Sequence, residues 1–276
     1  MTYIRIKIDR IFLVFVASIV VQSAELCAQE PSTESKTKAD SFLALPLELD
    51  ADFGAANGDA TLLRIMPLYG FPSRGNWEIV HLNLVTFADA PGGVPGRPGN
   101  PEPIPGERST GISDLAHASF FTPKSSGKLD WGIGGLFTIP IASDSALGSG
   151  KWTAGPSFRI LYRTGQWNFG AFGGQSWSFA GDDDRKDVSQ FIMRGAVRRQ
   201  LRNNWYFVSA PIITANWKAS GEKWLVPLGG GFGKAFDIDG DPWALSLQGY
   251  YNVVKPDGAP DWIVRLSLIA AIPLGK

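Results

Sequence analysis

The residues whose types and spacing best suit chemistry are His117 and Ser119, in the segment His117-Ala118-Ser119. Residues two apart on an extended strand lie on the same face, so the imidazole would lie beside the hydroxyl. A histidine there can take the serine proton and make its oxygen a nucleophile toward the ester bonds of lipids. No Asn or Asp that would orient the imidazole is identifiable. We interpret the two residues as an ordinary strand pair, predict no catalytic residue, and keep a lipid-hydrolysing enzyme as an alternative.

A second cluster, Asp237, Asp239 and Asp241 around Gly240, has the spacing of a calcium-binding loop. The downstream Glu that completes such a loop is missing, and Asp-Gly is a common tight-turn dipeptide. The glycine runs at 132–135 and 229–233 lack the lysine-containing loop or helix start of a phosphate site. We therefore predict a turn at 237–241, no metal and no cofactor.

The elements that carry these residues are indicated by the tryptophans. Four of them recur every 19 residues, and each opens a segment in which apolar residues alternate with small or polar ones: Trp205, Trp224, Trp243 and Trp262. About ten residues of such a repeat suffice for a tilted strand that crosses a bilayer. A sheet can span a membrane only as a closed barrel, because every backbone polar group must be satisfied within the protein. The pattern predicts such a barrel.

Alternation is clearest at 152–163, 243–254 and 262–272, where one face is apolar and the other carries small, polar or arginine side chains. Within 152–163, only Leu161 departs from it. We predict one all-β domain, a single antiparallel transmembrane β-barrel of about twelve strands, with ten or fourteen strands and a soluble β-sandwich as alternatives. The predicted strands are 42–53, 61–70, 77–88, 110–122, 129–140, 152–163, 167–179, 188–200, 205–217, 224–235, 243–254 and 262–272.

The first residues have the pattern of a cleaved signal peptide, with basic residues before an apolar run at 11–21 and cleavage after Ala28. We expect residues 1–28 to be this signal, 29–41 a flexible periplasmic lead and 42–276 the barrel. The full chain has 26 basic and 26 acidic residues, and removal of the signal takes away three bases and two acids. The remaining chain is nearly neutral, which predicts no nucleic-acid partner. Cys27 leaves with the signal. The Pro- and Gly-rich segment 89–109 is predicted to be a mobile outer loop.

A transmembrane barrel predicts the positions of two sets of side chains, the tryptophans and the charged residues. Tryptophan suits lipid headgroups, and the predicted aromatic girdle is Trp131, Trp152, Trp167, Trp177, Trp205, Trp217, Trp224, Trp243 and Trp262. Arginine is costly against lipid, by about 2 to 4 kcal/mol at mid-bilayer, so charged residues should face the lumen. The candidates are Asp114, Arg159, Arg163, Arg194, Arg198 and Arg265. The arginines either pair with acids such as Asp114 or form a constriction that favours anions.

A series of glycine and tryptophan motifs runs from Gly111 to the end of the chain. They are Gly111 with Asp114 and Leu115, Trp131 to Gly134, Leu147 to Trp152, Gly155-Pro156, Gln175 to Ser178, Pro211 to Trp217, Pro227 to Lys234, and Tyr250 to Asn252. In these the chain resembles the outer-membrane family named for the MetA pathway of phenol degradation, although Gly135 stands where Pro is expected. The resemblance implies transport or channel activity and supplies no substrate or catalytic residue.

Together these observations predict a Gram-negative outer-membrane protein. We expect its outer surface to contact lipid and lipopolysaccharide, and the barrel-insertion machinery to insert it into the membrane. The expected function is a narrow channel or transporter for a small molecule, which the resemblance implies to be aromatic or otherwise hydrophobic. The alternative is a structural or adhesive barrel that acts through its outer loops, chiefly 89–109.

Overall fold

A computed structural model describes residues 42–73, 75–91, 108–124 and 127–273. Within them the chain forms twelve barrel strands, three of which are interrupted. The strands are β1 (Phe42–Phe53), β2 (Ala60–Ile65 and Leu68–Pro72), β3 (Trp77–Pro91), β4 (Arg108–Ile112 and Leu115–Pro123), β5 (Leu129–Ile139), β6 (Lys151–Thr164), β7 (Trp167–Gly181), β8 (Ser189–Gln200), β9 (Trp205–Ser209 and Ile212–Asn216), β10 (Trp224–Ile238), β11 (Asp241–Val254) and β12 (Trp262–Pro273).

Each strand pairs antiparallel with the next one in the chain, and the sheet closes on itself. The closing pair is β12 with β1, in register from Phe42 opposite Pro273 to Phe53 opposite Trp262. Closure removes both free edges, so the backbone groups of every strand have a partner within the sheet. The prediction of a twelve-stranded antiparallel barrel is confirmed.

The three interruptions lie at Met66-Pro67, Ser113-Asp114 and Ala210-Pro211. Proline cannot donate a ladder hydrogen bond, which confines it to edges and bulges of a sheet. The neighbouring strands still meet these breaks: the Met66 amide donates to the carbonyl of Pro46 at 3.0 Å, and the Gly195 amide donates to that of Pro211 at 3.1 Å. The strands beside the Met66-Pro67 and Ala210-Pro211 breaks therefore stay hydrogen-bonded across them.

The two ends of the barrel differ in their connections. At the short-turn end, where β1 begins, successive strands are joined by turns such as 165–166 and 239–240. At the opposite, loop end the connections are longer, for example 140–150 and 255–261. Short turns at one end and longer loops at the other are typical of outer-membrane barrels. The predicted signal, the lead at 29–41 and most of the 89–109 loop lie outside the described residues.

The two faces of the wall differ in chemistry. Side chains on β1 alternate between the exposed Leu49 and Phe53 and the buried Glu48, Asp50 and Asp52. The same alternation runs around the barrel, so large apolar side chains form a continuous outer belt and polar ones fill the interior. An exposed apolar surface of this extent is typical of a membrane-embedded protein. Within the described residues, no helix has the length and apolarity needed to cross a membrane.

Candidate functional site in the barrel lumen

The centre of the lumen is closed by a network of five charged side chains. The Asp50 carboxylate accepts hydrogen bonds from Arg265 at 2.8 and 3.0 Å and lies 2.7 Å from Nη1 of Arg64. Arg265 also lies 3.5 Å from Glu48. Arg64, Arg265, Glu48 and Asp50 each expose 2% or less of their side chains. Such complete burial of charges is tolerated because each is paired with its opposite.

The fifth member, Arg194, reaches Glu48 from the opposite wall. Its guanidinium donates to both carboxylate oxygens of Glu48, at 3.0 Å for Nη1 to Oε2 and still closer through Nη2. Arg194 lies on β8 and Glu48 on β1, so this bidentate pair spans the lumen. The pair acts as a crossbar between two walls that share no backbone hydrogen bonds. Arg64, Arg194 and Arg265 outnumber Glu48 and Asp50, which leaves the network with one excess positive charge.

A second ion cluster lies nearer the short-turn end. Arg159 donates to Asp130 at 2.9 Å and to the Thr122 hydroxyl at 3.2 Å, and Arg163 lies 3.8 Å from the same carboxylate. Gly132 makes room for it, because a Cβ at that position would lie 2.5 Å from Thr122 Oγ1 and 3.2 Å from Arg159 Cγ. Gly132, in the motif Trp131 to Gly134, therefore allows the lumen arginine Arg159 to pack closely against β5.

Between the two clusters lies a cavity of about 160 Å³. Most of its lining is apolar, while Glu48 and Arg194 of the crossbar stand at its loop-end side. Arg198 lines it as well, with its guanidinium carbon 3.8 Å from the centre of the Tyr206 ring, a cation–π contact. The apolar lining includes Leu82, Phe120, Leu161, Phe172, Val208 and Ile269.

The structure places five of the six predicted lumen residues around this cavity and its flanking clusters: Arg159, Arg163, Arg194, Arg198 and Arg265. Asp114 lies elsewhere, in the break of β4. Its buried carboxylate accepts from the amide and hydroxyl of Ser149 at 2.7 and 2.9 Å and from the Ala142 amide at 3.3 Å. Asp114 therefore anchors the 140–150 loop, whereas Arg159, Arg163, Arg194 and Arg265 pair with Glu48, Asp50 and Asp130.

Sequence reasoning missed Glu48, Asp50 and Arg64, the centre of the network. The signal was present, because the even-numbered residues of 42–53 oppose Leu45, Leu47 and Leu49 and must face inward if the leucines face outward. The out-of-pattern Leu161 is also explained, since its side chain lines the cavity.

The tryptophans form two rings on the outside. Trp77 belongs with the predicted nine, and its ring packs edge-on against Trp131 at 6.3 Å. At the other end Trp217 and Trp224 pack in the same way at 5.4 Å. The short-turn ring contains Trp77, Trp131, Trp167, Trp205 and Trp243, and the loop-end ring contains Trp152, Trp177, Trp217, Trp224 and Trp262.

The other predicted features have local roles. Asp239 and Gly240 form the tight turn predicted between β10 and β11, both at positive φ, and the Gly240 amide donates to Asp237 Oδ1 at 2.8 Å. His117 and Ser119 lie on the outward face of β4, on the same side as the exposed Phe121, and take no part in the lumen.

A closed antiparallel barrel with an apolar outside and a charged, occluded inside is a β-barrel membrane protein. The chain is similar in fold to several solved structures. An outer-membrane channel from Pseudomonas putida F1 is 12% identical with a TM-score of 0.55, over 89% of this chain and 100% of that one. A FadL homologue from Pseudomonas aeruginosa is 8% identical with a TM-score of 0.44, over 86% and 91%.

The translocator domain of the autotransporter NalP from Neisseria meningitidis is 5% identical with a TM-score of 0.41, over 93% of this chain and 94% of that domain. No protein-family model and no curated protein matches the chain. The likeness to the P. putida channel therefore shows the fold, that of an outer-membrane barrel, and the resemblance to the phenol-degradation family stays a prediction.

Proposed function

We propose that the protein is a narrow channel of the Gram-negative outer membrane for small solutes with an apolar body, related to the family named for phenol degradation. The observation that carries the proposal is the apolar cavity inside the barrel, closed toward the loop end by the Glu48–Arg194 crossbar. Lipid surrounds the outer belt, and the short-turn end faces the periplasm, as the connection lengths favour.

The cavity sets the size of the solute. An apolar protein cavity of about 150 Å³ accommodates one benzene molecule, and this cavity measures about 160 Å³. A solute built on a single aromatic ring therefore has the size of this cavity, whose lining includes Phe120, Phe172 and Ile269. Longer or branched molecules require the walls or the crossbar to move.

The charges around the cavity set the preferred sign of the solute. Arg159, Arg194 and Arg198 all line it, with Glu48 as the acid among the lining residues. Fixed charge of one sign in a narrow pore raises the local concentration of the opposite ion. An aromatic carboxylate thus matches both the apolar lining and the arginines.

Flux measurements test this proposal. Vesicles containing the folded barrel should take up benzoate faster than benzylammonium, which has the same ring and the opposite charge. Arg194→Ala removes the crossbar and should raise both benzoate uptake and single-channel conductance in planar bilayers. Arg199→Ala is the matched control, because Arg199 lies on the same strand but faces outward against Trp167, 5.2 Å from its ring centre.

Folding is verified in each sample by heat-modifiable migration on detergent gels. A folded wild type and a folded Arg194→Ala variant that both lack conductance and benzoate uptake would refute the proposal. Equal uptake of benzoate and benzylammonium would refute the role given to the arginines.

A further inference from the structure

A cluster of hydrogen-bonding side chains lies on the outward face of the barrel, within a belt that is mostly apolar. Its members are Tyr69, His81, Asn83, His117 and Ser119, from the adjacent strands β2, β3 and β4. Polar and ionisable groups in a membrane are costly and tend to mark functional sites. The lumen network and its proposed transport role do not use this cluster.

Three of these side chains have the arrangement of a serine hydrolase. His117 Nε2 lies 2.8 Å from Ser119 Oγ, and His117 Nδ1 lies 2.9 Å from Asn83 Oδ1. Asn83 is directly opposite His117 in the β3–β4 register. A nucleophile, a base in hydrogen-bond contact with it, and a third group that orients the base are the parts that such catalysis needs. The sequence showed the first two, and the fold supplies Asn83.

The hydrogen-bonding capacity of the groups assigns the tautomers. Asn83 Oδ1 can only accept, so His117 Nδ1 carries a proton and its Nε2 is free to accept the Ser119 hydroxyl proton. His81 Nδ1, also 2.8 Å from Ser119 Oγ, then donates to the remaining lone pair of that oxygen. Asn83 Nδ2 donates to the Tyr69 hydroxyl at 3.5 Å. In this assignment His117, and not His81, is the base.

The surroundings leave Ser119 approachable from the lipid side. Its register partner on β5 is Gly135, which places no side chain on the outward surface, and the ring of Phe137 covers part of that space. Ser119 is itself only partly buried, so the site is accessible from the lipid side.

We propose that Ser119, His117 and Asn83 form a catalytic site that hydrolyses carboxylic esters carried in the membrane. Ser119 Oγ bonds to the ester carbonyl carbon as its proton passes to His117 Nε2. The carbon–oxygen bond to the alcohol breaks, and the alcohol leaves with that proton. Water then gives a proton to His117 and adds to the acyl carbon, the bond to Oγ breaks, Oγ recovers the proton, and a carboxylic acid is released. Asn83 positions the imidazole.

The depth of the site selects the substrate. Ser119 is four residues along β4 from Pro123, which pairs with Trp77 of the short-turn ring. At a rise of about 3.4 Å per residue and a strand tilt of about 40°, it lies roughly 10 Å from that ring toward the middle of the membrane. A charged headgroup holds its ester near the surface, whereas an uncharged long-chain ester enters the hydrocarbon. The site therefore takes neutral lipophilic esters in preference to phospholipids.

The test uses the full barrel folded in phosphatidylcholine vesicles, with p-nitrophenyl palmitate as substrate and a long-chain alkyl fluorophosphonate as covalent probe. The wild type should release p-nitrophenol and carry the probe on Ser119. Ser119→Ala and His117→Ala should each lose at least about a thousandfold in kcat. Asn83→Ala should lower kcat with little change in KM, and Asn83→Asp should recover the rate because a carboxylate accepts the same N–H.

Two matched controls separate catalysis from structure. Ser209→Ala removes an outward serine whose hydroxyl donates to the Gly229 carbonyl at 2.6 Å, and it should keep full activity. His81→Phe removes the other imidazole on Ser119 while keeping an aromatic ring, and it should keep the rate within about tenfold because the base remains.

A folded wild type without hydrolysis or labelling would overturn the proposal, as would a Ser119→Ala variant that retains its rate. Equal losses in His81→Phe and His117→Ala would overturn the choice of His117 as base. Release of fatty acid from the vesicle phosphatidylcholine as fast as from the palmitate ester would overturn the preference for neutral esters.

Discussion

The charge at the centre of the lumen should govern the stability of the barrel, and Asp50→Asn tests this most directly. The change keeps the size of the side chain, so no cavity arises and the effect is electrostatic. It removes the carboxylate that Arg265 holds at 2.8 and 3.0 Å and Arg64 at 2.7 Å, in a place where all three side chains expose 1% or less. The excess positive charge of the network doubles.

Breaking a buried ion pair from one side costs about 3 to 5 kcal/mol. We therefore expect Asp50→Asn to lower the free energy of unfolding by about this amount, measured by urea titration in detergent micelles with tryptophan fluorescence. Arg64→Met in the same chain should restore part of the loss, because it removes one unpaired charge; the two changes should couple by about 0.5 to 3 kcal/mol.

The matched control is Asp89→Asn. Asp89 pairs with Arg108 at 2.9 Å, but these side chains are 43% and 47% exposed, and such pairs contribute about 0 to 1 kcal/mol. If the two Asp→Asn variants lose the same free energy, or if Arg64→Met deepens the loss in Asp50→Asn, the buried network does not stabilise the barrel as argued.

Three further changes probe the wall and the loop anchor. Leu266→Arg puts a charge on the outer belt and should cost about 2 to 4 kcal/mol, whereas Val253→Arg, at the end of β11, should cost about 0 to 1 kcal/mol; equal urea midpoints would contradict the membrane belt. Gly132→Ala should destabilise the barrel by about 1 to 3 kcal/mol, because the added Cβ would lie 2.5 Å from Thr122 Oγ1. Gly249→Ala is the control, because a Cβ there meets nothing within 4 Å. Equal melting temperatures of the two variants would count against the packing role of Gly132. Asp114→Ala should release the 140–150 loop, seen as faster proteolysis there with the barrel intact; unchanged cleavage would exclude the anchor.

The sequence predicted the wall of the barrel well, because strand alternation and tryptophan spacing are local properties. At 262–272 the exposed Trp262, Val264 and Leu266 and the buried Arg265 lie as the alternation required. Strand order followed too, since short connections force neighbours in the chain to pair. The breaks of β2, β4 and β9 were not foreseen, because they depend on how neighbouring strands satisfy the backbone.

The identity of partners across space was beyond the sequence. Glu48 and Arg194 are 146 residues apart, and nothing local to either predicts that they meet across the lumen. Asn83 and His117 are likewise brought together only by the β3–β4 register, which is why His117 and Ser119 alone looked like an ordinary strand pair.

By itself, then, the amino-acid sequence determined that the chain forms a barrel of about twelve strands and, at 152–163, 243–254 and 262–272, which side of the strand turns outward, because the two-residue period of a strand is a local property. Only the tertiary structure decided which charges neutralise one another inside, where the cavity lies, and which side chains stand beside Ser119 on the outside. These contacts depend on closure and register, which join residues that the chain keeps far apart.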